Sequence, residues 1–128
     1  MEIRQFRVVL RAANFDRTCR FYGEALALPR IQSWEREDGR AAVYNAGAGL
    51  IEVLGLGRGA RVPDEDFDYH GPRHKLTLTL VVPSAEKAYE QILFREPNIL
   101  GGLRQDADGG LVFETRDPDG VKILFKES

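Results

Sequence analysis

The sequence predicts an α+β fold made of two copies of a βαβββ module, and three observations carry that prediction. The stretch from Arg7 to Leu26 has a counterpart seventy positions on, beginning at Thr77, in which an alternating strand, a polar residue and an amphipathic helix follow in the same order. Asn14 and Ser84 fall in register as helix N-caps, where a short side-chain oxygen accepts a hydrogen bond from the first free helical N–H groups. Each half then closes on an apolar strand, Leu50-Ile-Glu-Val-Leu54 in the first and Val121-Lys-Ile-Leu-Phe125 in the second. A repeat of this length is a module duplication, not a solenoid period. Two such modules, each with one apolar face packed on its helix, are expected to pair their other faces as a curved mixed sheet around a cavity.

Strand direction follows from alternation, because successive side chains leave opposite faces of a sheet. On the first strand Val8, Leu10 and Ala12 face the first helix, which places Arg7, Val9 and Arg11 on the inner face. Asp38-Gly39 is a hairpin signal between the strands carrying Trp34 and Tyr44. On the closing strand Ile51 and Val53 go to the core, and Glu52 and Leu54 to the inner face. Gly55 to Arg73, with four glycines, two prolines and the acidic run Asp64-Glu-Asp-Phe-Asp68, reads as a surface linker. In the second half Leu76, Leu78 and Leu80 meet the helix from Ala85 to about Phe94, whose Ala85, Ala88, Tyr89, Ile92 and Leu93 fall at helical spacing. Thr77, Thr79 and Val81 then face inward. Asp108-Gly-Gly110 is the second hairpin, and Asp117-Pro-Asp-Gly120 is a turn that launches the last strand. There Val121, Ile123 and Phe125 are core residues, with Lys122, Leu124 and Lys126 opposite. The organisation is one domain over 1–128, with module one at about 1–56, a linker at about 57–73 and module two at about 74–128.

Bulk composition narrows the function. A chain of 128 residues with 43% hydrophobic content has material for one small globular core. Its net charge of −2 offers no basic field for a phosphate backbone, so nucleic acid is not an expected partner. Cys19 is the single cysteine, which rules out an intrachain disulfide and a cysteine-rich metal site. No apolar run approaches the roughly 20 residues needed to span a bilayer, and the N-terminus lacks a charged-then-apolar signal. No membrane partner is expected, and the expected compartment is the cytoplasm.

The candidate chemistry is sparse. Two arginines on one inner strand face are costly unless they meet water, an anion or a carboxylate. Cys19, one turn from Phe15 and Tyr22, reads as a small buried hydrophobe rather than a nucleophile. Trp34 and Tyr44 on neighbouring strands are as consistent with the wall of an aromatic ligand pocket as with plain packing. The two histidines, His70 and His74, cluster around the linker and support no catalytic triad. Gly55-Leu-Gly-Arg-Gly59 follows a strand, but no helix pattern opens after it, so a phosphate-binding loop is not supported.

With these residues in place, the chain resembles the vicinal oxygen chelate superfamily, which includes glyoxalase I, extradiol dioxygenases, methylmalonyl-CoA epimerase and the fosfomycin and bleomycin resistance proteins. Phe21-Tyr-Gly-Glu-Ala-Leu26 looks like the family's first-helix signature, and Phe113-Glu-Thr-Arg-Asp-Pro-Asp-Gly120 before an apolar strand looks like its C-terminal motif. The resemblance covers nearly the whole chain. It implies the paired-module fold; it does not by itself imply one chemistry. Its enzymes hold a metal through His on the first strand and Glu on the last strand of each module, which correspond here to Arg7, Glu52, Thr77 and Leu124. Only Glu52 is a ligand of that type. Leucine cannot ligate, threonine ligates poorly, and arginine carries a permanent positive charge. His74 sits three positions before Thr77, an odd shift that turns it to the other face, while His70 lies in the linker. Neither a metal nor any other cofactor is expected. Arg7 would instead neutralise Glu52, its guanidinium gripping the carboxylate through two nitrogens; the alternative is that both reach solvent at the cavity rim.

Three functions remain open. The first is a metal-free small-molecule binding protein similar to the bleomycin-resistance branch. Its ligand would be anionic or neutral and aromatic, because Arg7, Arg11, Lys122 and Lys126 face inward, and it would be held among Arg7, Arg11, Trp34, Tyr44, Glu52, Thr77, Thr79 and Leu124. The second is a glyoxalase- or dioxygenase-like enzyme with an atypical site in which Glu52 is the acid or base. The third is a fold kept for dimerisation or protein contacts. The resemblance also implies a homodimer, swapped or unswapped, since the 19-residue linker from Gly55 to Arg73 permits either.

Overall fold

The computed structural model describes residues 1–56, 76–95 and 99–128. The chain divides into two compact units, Met1–Phe67 and Asp68–Ser128. The linker expected at about 57–73, with Phe67 and His70, lies outside the described residues, as does His74.

Unit one contains β1 (Arg7–Arg11), α1 (Phe15–Arg20), a π-helical continuation over Phe21–Ala25, β2 (Arg30–Arg36), β3 (Gly39–Asn45) and β4 (Leu50–Leu56). Its sheet runs in the order β1-β4-β3-β2, with β1 parallel to β4 and the other pairs antiparallel. Unit two repeats the plan with β5 (Thr77–Val82), α2 (Ala85–Leu93), β6 (Ile99–Gln105), β7 (Leu111–Arg116) and β8 (Lys122–Glu127), in the order β5-β8-β7-β6. The duplication expected from sequence is therefore present strand for strand as two four-stranded mixed sheets.

Both expected caps form. The Asn14 side chain accepts from the Arg17 N–H at 3.1 Å, and Ser84 Oγ accepts from the Lys87 N–H at 3.2 Å. Leu10 on β1 and Ala12 just after it, with Ile51 and Val53 on β4, are buried against the helical layer of unit one. In unit two Leu78, Ile123 and Phe125 are buried, and Phe113 stacks on Phe125, its directly opposite partner, at 4.6 Å, with Tyr89 of α2 edge-on to Phe113 at 5.3 Å. Each such buried apolar side chain contributes about 1.5–3 kcal/mol relative to exposure, so the alternation of β8 alone is a strong determinant of register.

Gly55 is where the first helix comes closest to its sheet. A Cβ built there would lie 2.6 Å from Phe15 Cβ, closer than carbon atoms approach, so only glycine lets the start of α1 settle on β4. The Asp117–Gly120 turn is held by its own first residue. The buried Asp117 carboxylate accepts from the N–H groups of Asp119 and Val121, both at 2.9 Å, and Gly120 takes φ 86°, a left-handed value that favours glycine.

Three sequence expectations shift. The first hairpin turn comprises Glu37-Asp38, one residue earlier than Asp38-Gly39, because Gly39 already pairs with Arg36 as the first residue of β3. The first helix is not uniformly α: from Phe21 it widens into the π-helical turn, whose Leu26 N–H reaches the Phe21 carbonyl at 2.9 Å. On α2, Leu93 is 52% exposed, so the buried stripe runs through Ala85 and Ile92 only.

Candidate functional site

Strand register decides which side chains share the inner face of unit one. Arg11 pairs with Leu54, Leu54 with Ala41, and Ala41 with Trp34, so these four form one row across the sheet. The row beyond it contains Leu56, Gly39 and Arg36. The row before it contains Val9, Glu52 and Val43. Glu52 is thus in the centre of the sheet, and Arg7 reaches it from the edge strand β1.

The two charges meet. Arg7 Nη1 donates to Glu52 Oε1, and Arg7 Nη2 donates to Gln5 Oε1 at 2.9 Å. The pair expected from sequence forms, but it is single-pronged. Gln5 takes the second guanidinium nitrogen, while Arg7 Nε is buried without a hydrogen-bond partner among the described residues. Side-chain exposures of 30% for Arg7 and 15% for Glu52 place the contact below the surface without sealing it from water.

At the far end of the same face is a cleft of about 230 Å³, bordered by Arg11, Trp34, Arg36, Asp38, Leu54 and Leu56. The Arg36 guanidinium sits over the Trp34 indole, 4.7 Å from its centroid. A Cβ built on Gly39 would meet the indole ring at 3.7 Å, which agrees with Trp34 and Gly39 sharing a face.

Tyr44 does not belong to this face. It pairs with Arg30, whereas Trp34 pairs with Ala41; positions 41 and 44 are three apart, so the two aromatic side chains leave opposite faces. Both residues border a larger open groove of about 860 Å³ between α1 and β2, together with Cys19, Arg30 and Glu35. Tyr44 enters it as a buried ring, donating through Oη to the Cys19 carbonyl at 3.2 Å and accepting from Arg30 Nη2 at 2.8 Å. Burial, reinforced by the contact with Cys19, pushes the Tyr44 hydroxyl up to about 12 against the opposing pull of Arg30. Burial also raises the Cys19 thiol, so it is protonated and poorly nucleophilic, in keeping with its place on the buried side of α1.

In unit two the inner face presents Thr77 and Thr79, both exposed, and Leu124, half-buried. Sequence reasoning missed Glu114, which lies directly opposite Leu124 on the neighbouring strand. Lys122 Nζ stands 3.0 Å from Glu114 Oε2, although not aligned for a hydrogen bond. The signal was present in the alternation Phe113-Glu-Thr, but only register says which strand position it faces. Lys126 is held by the hairpin acids, 3.2 Å from Asp106 and 3.0 Å from Asp108. The Ala107 N–H and then Lys126 lower the Asp106 carboxyl; Lys126 and then the Gly110 N–H lower Asp108. The inward cations Lys122 and Lys126 are therefore already answered, as is Arg7. Among the described residues Arg11 and Arg36 have no carboxylate partner.

The sequence profile of the Glyoxalase/Bleomycin resistance protein/Dioxygenase superfamily matches residues 4–125. The chain belongs to that superfamily. Solved structures agree in fold. A glyoxalase family protein from Enterococcus faecalis is 21% identical with TM-score 0.66, the match covering 98% of this chain and 97% of that one. TioX from Micromonospora sp. ML1 is 15% identical with TM-score 0.73, covering 96% and 97%. A glyoxalase I mutant from Zea mays is 14% identical with TM-score 0.75, covering 95% of this chain and 46% of that one. Comparison with curated proteins finds no match.

The metal held by enzymes of this superfamily does not fit the described residues at these positions. In unit one the carboxylate at a ligand position implied by the resemblance, Glu52, is neutralised by a guanidinium that would repel a divalent cation. In unit two the corresponding residues are Thr77 and Leu124, and the nearest carboxylate, Glu114, is one strand over beside a lysine. Among the described residues no group of three or more His, Cys, Asp or Glu side chains is placed to hold a metal ion. No helix among them is long and apolar enough to cross a membrane.

Proposed function

We propose that this superfamily member is a small-molecule binding protein that works without a catalytic metal, acting as a cytoplasmic homodimer. The observation that carries the reading is the Arg7–Glu52 ion pair. It places a fixed positive charge where the family's enzymes place a metal ligand, and it consumes one oxygen of the sole matching carboxylate. A binding protein needs a shaped, partly apolar cleft with a few fixed polar groups, and unit one supplies one between Arg11, Trp34 and Leu54. Thr77, Thr79 and Leu124 add uncharged positions to unit two's own inner face, beside the paired Lys122 and Glu114.

A thermal-shift screen of the purified protein against aromatic acids, neutral aromatics and cationic drugs tests the reading, since a ligand bound only by the folded chain raises stability by mass action. A saturable rise in melting temperature supports a binder. No rise with any class, together with about one transition metal per chain by elemental analysis, would overturn it.

A second reading has one observation in its favour. Glu52 uses only Oε1 in the contact with Arg7, leaving its other oxygen as an acceptor that can serve as a general base. A turnover assay with Glu52→Gln as the control separates an enzyme of that kind from a binder.

A further inference from the structure

We infer that the cleft at the Arg11 end of unit one selects a small planar aromatic acid, and that Arg36, with Trp34, is a specificity-determining residue. This inference rests on the binding-protein reading and names its ligand class.

Four observations converge. First, the register row Arg11–Leu54–Ala41–Trp34 sets a cation and an indole three strand spacings apart, roughly 14 Å between backbones. An arginine side chain reaching inward from one end leaves room for about one ring before the indole at the other. Second, the floor between them is apolar, formed by Leu54 and Leu56. Third, Arg36 bends over the indole, so a second guanidinium stands at the aromatic end of the cleft. Fourth, neither Arg11 nor Arg36 has a carboxylate partner among the described residues, whereas Arg7, Lys122 and Lys126 each have one. Arg40 also borders the cleft but is paired with Asp16 at 3.4 Å, and Asp38 is the only acid among the described residues that line it, so the guanidiniums of Arg11 and Arg36 are left facing one carboxylate.

Those features specify chemistry. A flat apolar body is needed to cover the leucines and lie against the indole. A carboxylate is needed to answer the two unpaired guanidiniums, which bind planar oxyanions through paired donors. A cation would add repulsion to both arginines. The cleft's volume of about 230 Å³ suits a one- or two-ring molecule, below the roughly 300–1,000 Å³ of drug-sized sites.

The chain contains a single tryptophan, which borders both this cleft and the larger groove, so its fluorescence reports binding and the Arg11 and Arg36 variants assign it to the cleft. The full-length protein is titrated at low salt with benzoate, benzamide, benzylamine, cyclohexanecarboxylate and inorganic phosphate, following Trp34 emission. Benzoate is expected to give a saturable change with affinity at least about tenfold above each of the others, and weaker at high salt. Arg11→Gln and Arg36→Gln are each expected to weaken benzoate by about tenfold or more without lowering the melting temperature. The inference is overturned if benzamide or benzylamine binds as tightly as benzoate, or if both arginine variants keep wild-type affinity. If phosphate matches benzoate, the indole and leucine floor play no part and the aromatic specificity is lost. In those cases a saturable shift with any ligand leaves the binding-protein reading standing. Silence of both fluorescence and melting temperature towards every compound sinks the two together.

Discussion

Arg7 meets Glu52 through one guanidinium nitrogen and gives the other to Gln5, so the carboxylate is neutralised but only half engaged. A fixed cation has been set against an inner-face acid, and its removal would leave that acid alone in a partly desolvated position. Replacing Arg7 with Ala is expected to destabilise the protein more than replacing Arg7 with Ala and Glu52 with Gln together. The cost of the single change should fall between the roughly 0–1 kcal/mol of exposed pairs and the roughly 3–5 kcal/mol of buried ones, as the 30% and 15% exposures suggest. Urea denaturation of the two variants gives the ordering; equal stabilities would show that the pair does not hold the site.

Gly55→Ala is expected to cost roughly 1–3 kcal/mol, because the new methyl would lie 2.6 Å from Phe15 Cβ and α1 must move to admit it. The strain is with backbone-adjacent atoms, so a rotamer change of Phe15 cannot relieve it. Wild-type stability in this variant would mean that α1 does not rest on β4 as described.

Asp117→Ala removes the acceptor of two backbone N–H groups in a buried turn. Hydrogen bonds to a charged group are each worth about 1.5–3 kcal/mol, so a loss of several kcal/mol in chemical denaturation is expected. Asp117→Asn, which keeps one acceptor oxygen, should lose less. An equal loss in both would assign the effect to the charge and not to the turn geometry.

Tyr44 predicts an alkaline limb in stability. Its folded-state value is raised from 10.0 to about 12, so the folded chain holds the proton more tightly than the unfolded chain does. The contribution is fully present below pH 10.0 and is lost as pH rises towards about 12. A late-ionising tyrosine should appear in an ultraviolet titration, and Tyr44→Phe should reduce the amplitude of that late phase. If every tyrosine titrates together near the ordinary value, the Arg30–Tyr44–Cys19 contact is absent in solution.

Unit two should respond at the acid end. Lys126 and nearby backbone N–H groups depress Asp106 and Asp108, and these charges stabilise the fold above the ordinary carboxylate range. That support disappears as pH falls through their lowered values. Lys126→Met should remove much of this acid-limb dependence in a pH series of melting temperatures while leaving the alkaline limb from Tyr44 in place.

Much of this molecule was decided locally. The βαβββ repeat, the caps at Asn14 and Ser84, the Asp117 turn and the core faces of β4 and β8 all follow from side-chain alternation, helical spacing and short-range hydrogen bonding, which a linear chain displays directly. Even the Arg7–Glu52 meeting was legible, because two opposite charges assigned to one inner face have few other ways to be satisfied. Tertiary structure decided what depends on register between strands. Trp34 and Tyr44 look alike in sequence, yet pairing with Ala41 and Arg30 sends them to opposite faces. Glu114 became an inner-face acid only when β7 was aligned against β8. Gln5 took half of a guanidinium that charge alone would have given entirely to Glu52. Arg36 gained its place over the indole from the β2–β3 hairpin, whose turn falls one residue from where Asp38-Gly39 suggests. The physical reason is the same in each case: alternation fixes the parity of a side chain within its own strand, whereas its neighbours are set by hydrogen bonds to another strand whose offset no local pattern encodes.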